Sequence, residues 1–251
     1  MTERPHVVGG KLLFWTSEEH DGIVDAMIAG GYERNEADFM QLVVRPGMHA
    51  VDAGAHLGAH TLHLAALVGE HGSVTALEPL EEHTTWLARS LRANGFSDRV
   101  RIVVAAAGDT EGHRLMVIRS PDLEQTNAHL APARSPHQGG RAMRSVPMTT
   151  LDGCIVRRPV GFIKLDVEGA EALVIRGASR LLAEDRPIVL ADLHPHLMTE
   201  LDPVGPDALI ADMARLGYEC RLLGAGVPGS EIESVPSGGV TPVVFIPVGR
   251  T

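Results

Sequence analysis

Cysteine is scarce in this chain of 251 residues: Cys154 and Cys220 are the only two, they lie far apart, and neither belongs to a C-x-x-C pair. That excludes a disulfide framework and a zinc knuckle, and two buried thiols are the simplest reading. Aromatic residues are sparse at 4%, while a hydrophobic content of 44% is ordinary for a globular enzyme. No apolar run approaches the length of a bilayer span, and Met1-Thr2-Glu3-Arg4-Pro5-His6 lacks the basic-then-apolar plan of a signal peptide. A membrane partner is therefore not expected, and a cytoplasmic location is. Positive charge is in deficit, with 22 Lys and Arg against 32 Asp and Glu and a net charge of −10. Nucleic-acid binding rests on a basic surface that displaces counterions, so the expected partner is a small molecule or sugar. Local basic clusters such as Arg157-Arg158 or Arg141 to Arg144 are short runs of the kind usually found on solvated surfaces. There are no internal repeats and no mark of a second hydrophobic core, so one α/β domain is expected. Its oligomeric state is not written in the sequence.

What is present is concentrated first in Val51-Asp52-Ala53-Gly54-Ala55-His56-Leu57-Gly58-Ala59-His60-Thr61, which reads as a strand that stops at a glycine turn and re-emerges as a helix. Gly54 and Gly58 remove side chains that would keep a ligand from the backbone. The free N–H groups at the start of the helix can receive polar ligand atoms. The loop departs from the dinucleotide fingerprint G-x-G-x-x-G, because Asp52 stands where the first glycine belongs and Gly58 follows Gly54 by four residues instead of three. An acid beside the turn repels a pyrophosphate but suits the cationic amino group and sulfonium of S-adenosylmethionine, which favours the methyl donor over NAD.

In chain order, Ser17 to Gly31 and Asn35 to Val44 read as helices. Met48 to Asp52, Ser73 to Leu77 and Val100 to Ala106 read as strands, with a helix over Glu81 to Ala93. This β-α-β-α-β series implies a parallel sheet with right-handed crossovers. Glu78 lies twenty residues after Gly58, where either cofactor class places a ribose-binding acid. His113 to Ile118 reads as a returning strand, and Ser120 to Arg144 as a long substrate-covering loop. In the strand Phe162 to Asp166, Phe162, Lys164 and Asp166 share one face, and a lysine there predicts a polar cleft or a partner. Strands are expected at Ile188 to Leu193, Tyr218 to Leu223 and Thr241 to Val248, a helix from Asp207 to Leu216, and a loop over Gly224 to Gly239.

Phe162-Ile163-Lys164-Leu165-Asp166-Val167-Glu168-Gly169-Ala170-Glu171 is similar to the I-K-[IL]-D-V-E-G-[AY]-E signature of the FkbM family of S-adenosylmethionine-dependent methyltransferases. Four further blocks resemble that family in the same order: Val51 to Gly58, Val146 to Asp152, Val174 to Ala178 and Arg186 to Leu190. The resemblance implies a Rossmann-like class I methyltransferase fold over residues 45–251. Its seven-stranded, mostly parallel sheet would have the order 3-2-1-4-5-7-6 with strand seven antiparallel and helices on both faces. Residues 1–44 would form an N-terminal helical cap. It also implies O-methylation of a small-molecule hydroxyl, on a sugar or in secondary metabolism. Asn is frequent in the family where His56 stands, and an aromatic where His60 stands.

Methyl transfer to a hydroxyl is an in-line displacement that needs a near-attack geometry and a base. Asp166 and His194, at the carboxyl ends of adjacent strands, are the expected catalytic pair, with His194 as base because an imidazole titrates near neutrality. Asp52, Gly54, Ala55, His56, Gly58, Glu78, Asp109 and Glu36 (or Glu33) are expected to hold the donor. A magnesium-assisted version remains open, with Asp166, Glu168 and Asp192 as candidate ligands. H-x-x-x-H at His56 and His60 is weak evidence for zinc. An NAD-dependent oxidoreductase and a cofactor-binding module without catalysis are the rival readings.

Overall fold

A computed structural model describes residues 4–8, 12–16, 21–29, 31–118, 128–132, 142–202, 205–236 and 239–249. The chain opens on a hairpin of β1 (Arg4–Val8) and β2 (Leu12–Thr16), followed by α1 (Asp21–Ile28) and α2 (Arg34–Val43). The alternation β3 (His49–Ala53), α3 (Ala59–Val68), β4 (Ser73–Leu77), α4 (Glu81–Ala93), β5 (Val100–Val103) follows. A small insertion then contains β6 (Ala106–Ala107), β7 (Gly112–Ile118), β8 (His129–Leu130) and β9 (Ala142–Thr149). The second half runs α5 (Leu151–Cys154), β10 (Val160–Leu165), α6 (Glu171–Arg176), α7 (Ser179–Asp185), β11 (Ile188–Leu193), α8 (Pro195–Leu201), α9 (Gly205–Arg215), β12 (Tyr218–Gly224), β13 (Val227–Glu231) and β14 (Thr241–Pro247).

The main sheet has the order β13-β12-β14-β11-β10-β3-β4-β5, and β6-β9-β7-β8 form a second, smaller sheet. β14 runs antiparallel to both β11 and β12, while β11, β10, β3, β4 and β5 are mutually parallel. The central strands are buried on both faces, as a parallel sheet covered by helices requires. Ile163, Leu165, Val189 and Ala191 pack towards α6, α7 and α9, and Phe162, Leu190 and Ala50 pack towards α2 and α3.

Several expectations are corrected. The N-terminal 44 residues are not purely helical: the β1–β2 hairpin precedes the helices, because Phe14 is buried against Leu57 and Leu87 while Leu13 and Trp15 donate their N–H groups to Asn94 Oδ1 and Ser90 Oγ of the α4 segment. The helix expected from Ser17 is observed over Asp21–Ile28, with residues 17–20 outside the described set. Among the described residues the sheet holds eight strands rather than seven, since β13 arises inside the segment read as a loop. Its side chains are exposed and show no apolar pattern, and backbone pairing with β12 holds it. The third strand stops at Val103, and Ala106–Ala107 instead pair with β9. Of the long loop, His129–Leu130 and the start of β9 are strand, and residues 119–127 and 133–141 lie outside the described residues.

Candidate functional site

The carboxyl ends of β3, β4 and β10 open onto a cleft of about 1080 Å³, counting its mouth. Such a crevice beyond the strand ends is where ligands bind in open α/β sheets. Its walls come from the glycine loop, from Glu78 to Leu80, from Asp166 to Glu168, and from Met116 and Leu130 of the smaller sheet, with Phe14, Tyr32 and Glu33 covering one side. The fold makes the glycines of the loop necessary for a reason the sequence does not display. A Cβ on Gly54 (φ +89°) would stand 1.7 Å from the Asp166 carbonyl oxygen, and one on Gly58 (φ +94°) would stand 2.3 Å from Leu87 Cδ1. Both absences let the loop seat against β10 and α4, so they serve chain packing at these contacts rather than the approach of a ligand alone. His56 also has positive φ, 49°. Asn and His tolerate that region better than most residues.

Glu78 is buried and organised by its neighbours. Its Oε2 accepts the His56 N–H at 3.0 Å, and its Oε1 accepts the Leu80 N–H at 2.9 Å with His83 Nδ1 at 3.1 Å. Asp52 is buried beside it and accepts a hydrogen bond from the Thr61 hydroxyl. Burial pushes the Asp52 carboxyl above the usual carboxylate range, against the charges of His60 and Lys164 and the Thr61 bond.

Lys164 is fully buried, and its ammonium is paired with Asp192 and lies 3.6 Å from Asp166 Oδ2. Burial alone would depress a lysine, but Asp192, Asp166 and Glu33 hold it well above its ordinary value, so it remains an ammonium. Asp52 is directly across the β3–β10 ladder from Lys164, and the expected polar environment is thus an acidic cradle on the α2 side of the sheet. Burial would also raise Asp166, but Lys164 and His194 drive it far below the carboxylate range.

Asp166 and His194 meet: Nε2 lies 3.1 Å from Asp166 Oδ1, and Nδ1 lies 3.2 Å from Glu168 Oε2. Burial lowers the imidazole, but the bond to Asp166 and the charges of Glu171, Glu168 and Asp166 raise it to about 9. A ring flanked by carboxylates on both sides is favoured in its doubly protonated form, above the neutral range in which an unperturbed imidazole titrates. Asp166 and Glu168 form part of the cleft wall; His194 is not among its lining residues and stands behind them. Glu171 is wholly buried, and burial pushes it up to about 7; its Oε1 accepts the Gly169 N–H, which ties down the turn where Glu168 (φ 51°) and Gly169 (φ 97°) are left-handed.

Other candidates are redistributed. Gly54, Ala55, His56, Asp52 and Glu78 line the cleft, and Gly58 shapes it from behind through Leu87. Glu33, not Glu36, lies on the wall, pairing with His60; Glu36 is buried beneath it on α2, facing the charges of Asp192, Glu33 and Lys164. Asp109 is not on the wall, since it turns to Arg176 at 3.6 Å, and Ala106 and Ala107 line the cleft in its stead. The three histidines of the loop and α3 do not converge: His60 pairs with Glu33, His56 sits edge-on to His83, and His63 lies near Gln41. Tyr32, His83, Met116 and Leu130 were not assigned to the site from sequence, because nothing in their local pattern separates them from ordinary core residues. Among the described residues no helix is long and apolar enough to cross a membrane.

Comparison with solved structures recovers the same architecture. A methyltransferase FkbM from Methylobacillus flagellatus KT is 18% identical, over 92% of this chain and 55% of that one, with a TM-score of 0.51. This chain therefore spans about half the length of that protein. An S-adenosylmethionine-dependent O-methyltransferase from Thermotoga maritima is 15% identical, over 88% of this chain and 67% of that one, with a TM-score of 0.50. At these identities the likeness establishes the class I methyltransferase fold alone. No curated protein sequence matches the chain. The model of the methyltransferase FkbM domain matches residues 52–220, from the acid of the glycine loop to the middle of β12, and so takes in the loop, Glu78, the Lys164–Asp166–Glu168 segment and His194. On that match the chain belongs to the FkbM methyltransferase domain family.

Proposed function

We propose that this protein is an O-methyltransferase that uses S-adenosylmethionine and acts on a hydroxyl of a small molecule such as a sugar or secondary metabolite. The observation that carries the choice of donor is the charge of the cleft wall. Five acidic side chains line it (Glu33, Asp52, Glu78, Asp166 and Glu168), and no Lys or Arg does among the described residues. A wall of that sign repels a dinucleotide pyrophosphate and attracts a sulfonium and an ammonium. Asp52, Gly54, Ala55, His56 and Glu78 would hold the donor, which supplies an electrophilic methyl group when bound.

In this reading Asp166 is the group that meets the acceptor. It lies on the wall, and His194 and Lys164 hold its carboxylate ionised from behind. It accepts the hydroxyl's hydrogen bond, orients one oxygen lone pair and receives the proton, which becomes strongly acidic as the new bond forms. Its low basicity is sufficient for a proton lost late. His194 is a positioning residue in this scheme. For magnesium there are two supporting groupings: Asp166, Glu168 and His194, and Glu33, Asp166 and Asp192, each bring three ligand atoms within 4.8 Å of one another. In the structure, however, His194 itself bridges the two carboxylates.

The test is transfer of radiolabel from the donor to a panel of hydroxylated acceptors. Asp166→Asn should lower turnover at least 100-fold while S-adenosylhomocysteine affinity stays within about threefold. Full turnover in that variant removes Asp166 from the chemistry. Calorimetric binding of NADH, with none of S-adenosylhomocysteine, would end the methyl-transfer reading.

A further inference from the structure

From the surroundings of Glu78 we infer that His83 is a positioning and specificity residue: it saturates one oxygen of Glu78, so that this carboxylate accepts a single ribose hydroxyl of the donor. The inference rests on the reading that a nucleoside donor occupies the cleft. Each carboxylate oxygen offers two in-plane lone pairs. Oε1 of Glu78 spends both, one on the Leu80 N–H at 2.9 Å and one on His83 Nδ1 at 3.1 Å. Because the partner is a carboxylate oxygen, the ring nitrogen must carry the proton. Oε2 spends one on the His56 N–H at 3.0 Å and keeps the other. An unclamped acid at this position can engage both hydroxyls of a ribose through its two oxygens. Glu78 as built can engage one.

Three features hold His83 in this position. Its side chain is buried, with 5% exposed, against 7% for that of Glu78. Its ring meets the His56 ring edge-on, with centroids 4.3 Å apart and an interplanar angle of 88°. His83 and Leu87 lie four residues apart on one face of α4, and Leu87 fills the notch left by Gly58. The contact that docks α4 onto the glycine loop therefore also delivers His83 to Glu78. His83, His56 and Glu78 all face the cleft. The consequence is a donor site with unequal interest in the two ribose hydroxyls.

The experiment is calorimetric titration of the intact protein with S-adenosylhomocysteine and with its 2′-deoxy and 3′-deoxy analogues, on wild type, His83→Phe and His83→Asn. In the wild type one analogue should bind about tenfold more weakly than S-adenosylhomocysteine and the other within about threefold, a difference of the size expected for one hydrogen bond to a charged group. His83→Phe keeps the ring against His56 but removes the donor. It should weaken S-adenosylhomocysteine about tenfold, leave the already weakened analogue within twofold, and raise the donor KM with kcat little changed. His83→Asn, which restores an N–H donor, should recover most of the affinity. Equal losses for the two analogues in the wild type, or the same loss for all three ligands in His83→Phe, would overturn the inference while leaving the donor assignment intact. Absence of S-adenosylhomocysteine binding to the wild type would instead overturn the assignment on which it rests.

Discussion

Replacing His194 with glutamine asks whether the ring between Asp166 and Glu168 is an imidazolium, and the structure sets the size of the answer. The ring is raised from 6.5 to about 9, and its side chain is only 11% exposed, so little of that effect is lost to solvent screening. A rise of that size corresponds to about 3 kcal/mol of stability. Because the folded value lies above the unfolded one, the contribution is complete below pH 6.5, declines between 6.5 and 9, and is absent above it. Glutamine keeps a donor for Asp166 but no charge and no titration. Urea unfolding of both proteins from pH 6 to pH 10 should therefore show a stability gap that narrows by about 3 kcal/mol over that range, with equal m-values. The Cε1 proton of His194 followed by NMR should titrate near pH 9. A constant gap, or a titration near 6.5, would refute the imidazolium paired with both carboxylates and return His194 to candidacy as the base.

Four further outcomes follow from the same structure. Lys164→Met leaves buried Asp192 and half-buried Asp166 without their cation and should cost about 3–5 kcal/mol in chemical denaturation; a loss under 1 kcal/mol would show that the acids rearrange or take up protons at little cost. Gly54→Ala must relieve a 1.7 Å contact with the Asp166 carbonyl and adopt φ +89°, so a loss of about 2–5 kcal/mol in stability is expected together with weakened S-adenosylhomocysteine binding by calorimetry. Glu171→Gln keeps an oxygen for the Gly169 N–H but abolishes the titration of a buried acid raised to about 7. The wild type loses stability as pH rises from 4.5 to 7 and the variant does not, so the variant should gain up to about 3 kcal/mol relative to wild type across that window, read as a difference in Tm. Asp166→Asn should separate turnover from donor binding in the radiolabel assay, losing the first and keeping the second.

The loop Val51 to Thr61 and the run Phe162 to Glu171 were legible because their chemistry is local. A glycine turn between a strand and a helix, and a lysine and an aspartate alternating on one strand face, declare themselves within ten residues. The alternation of strands and helices from His49 to Val103 was legible for the same reason, since periods of 2 and 3.6 are properties of consecutive residues. β13 and the N-terminal hairpin were not. One is held by backbone pairing along an exposed edge and the other by Asn94 and Ser90 across more than seventy residues of chain, and neither constraint leaves a pattern in the strand itself.

The sequence alone determined the glycine loop between β3 and α3, the strand that carries Lys164 and Asp166, and the acidic balance of the chain. Only the tertiary structure decided which groups face the cleft and in what ionic state. Glu33 rather than Glu36 reaches the wall, Asp109 turns away to Arg176, and Gly54 serves the packing of one strand end on another. His194 stands behind Asp166, between two carboxylates that favour its charged form. The physical reason is that a pKa and an orientation are set by what lies within about 4 Å in space, and for His194 those groups, Asp166 and Glu168, are 28 and 26 residues away along the chain.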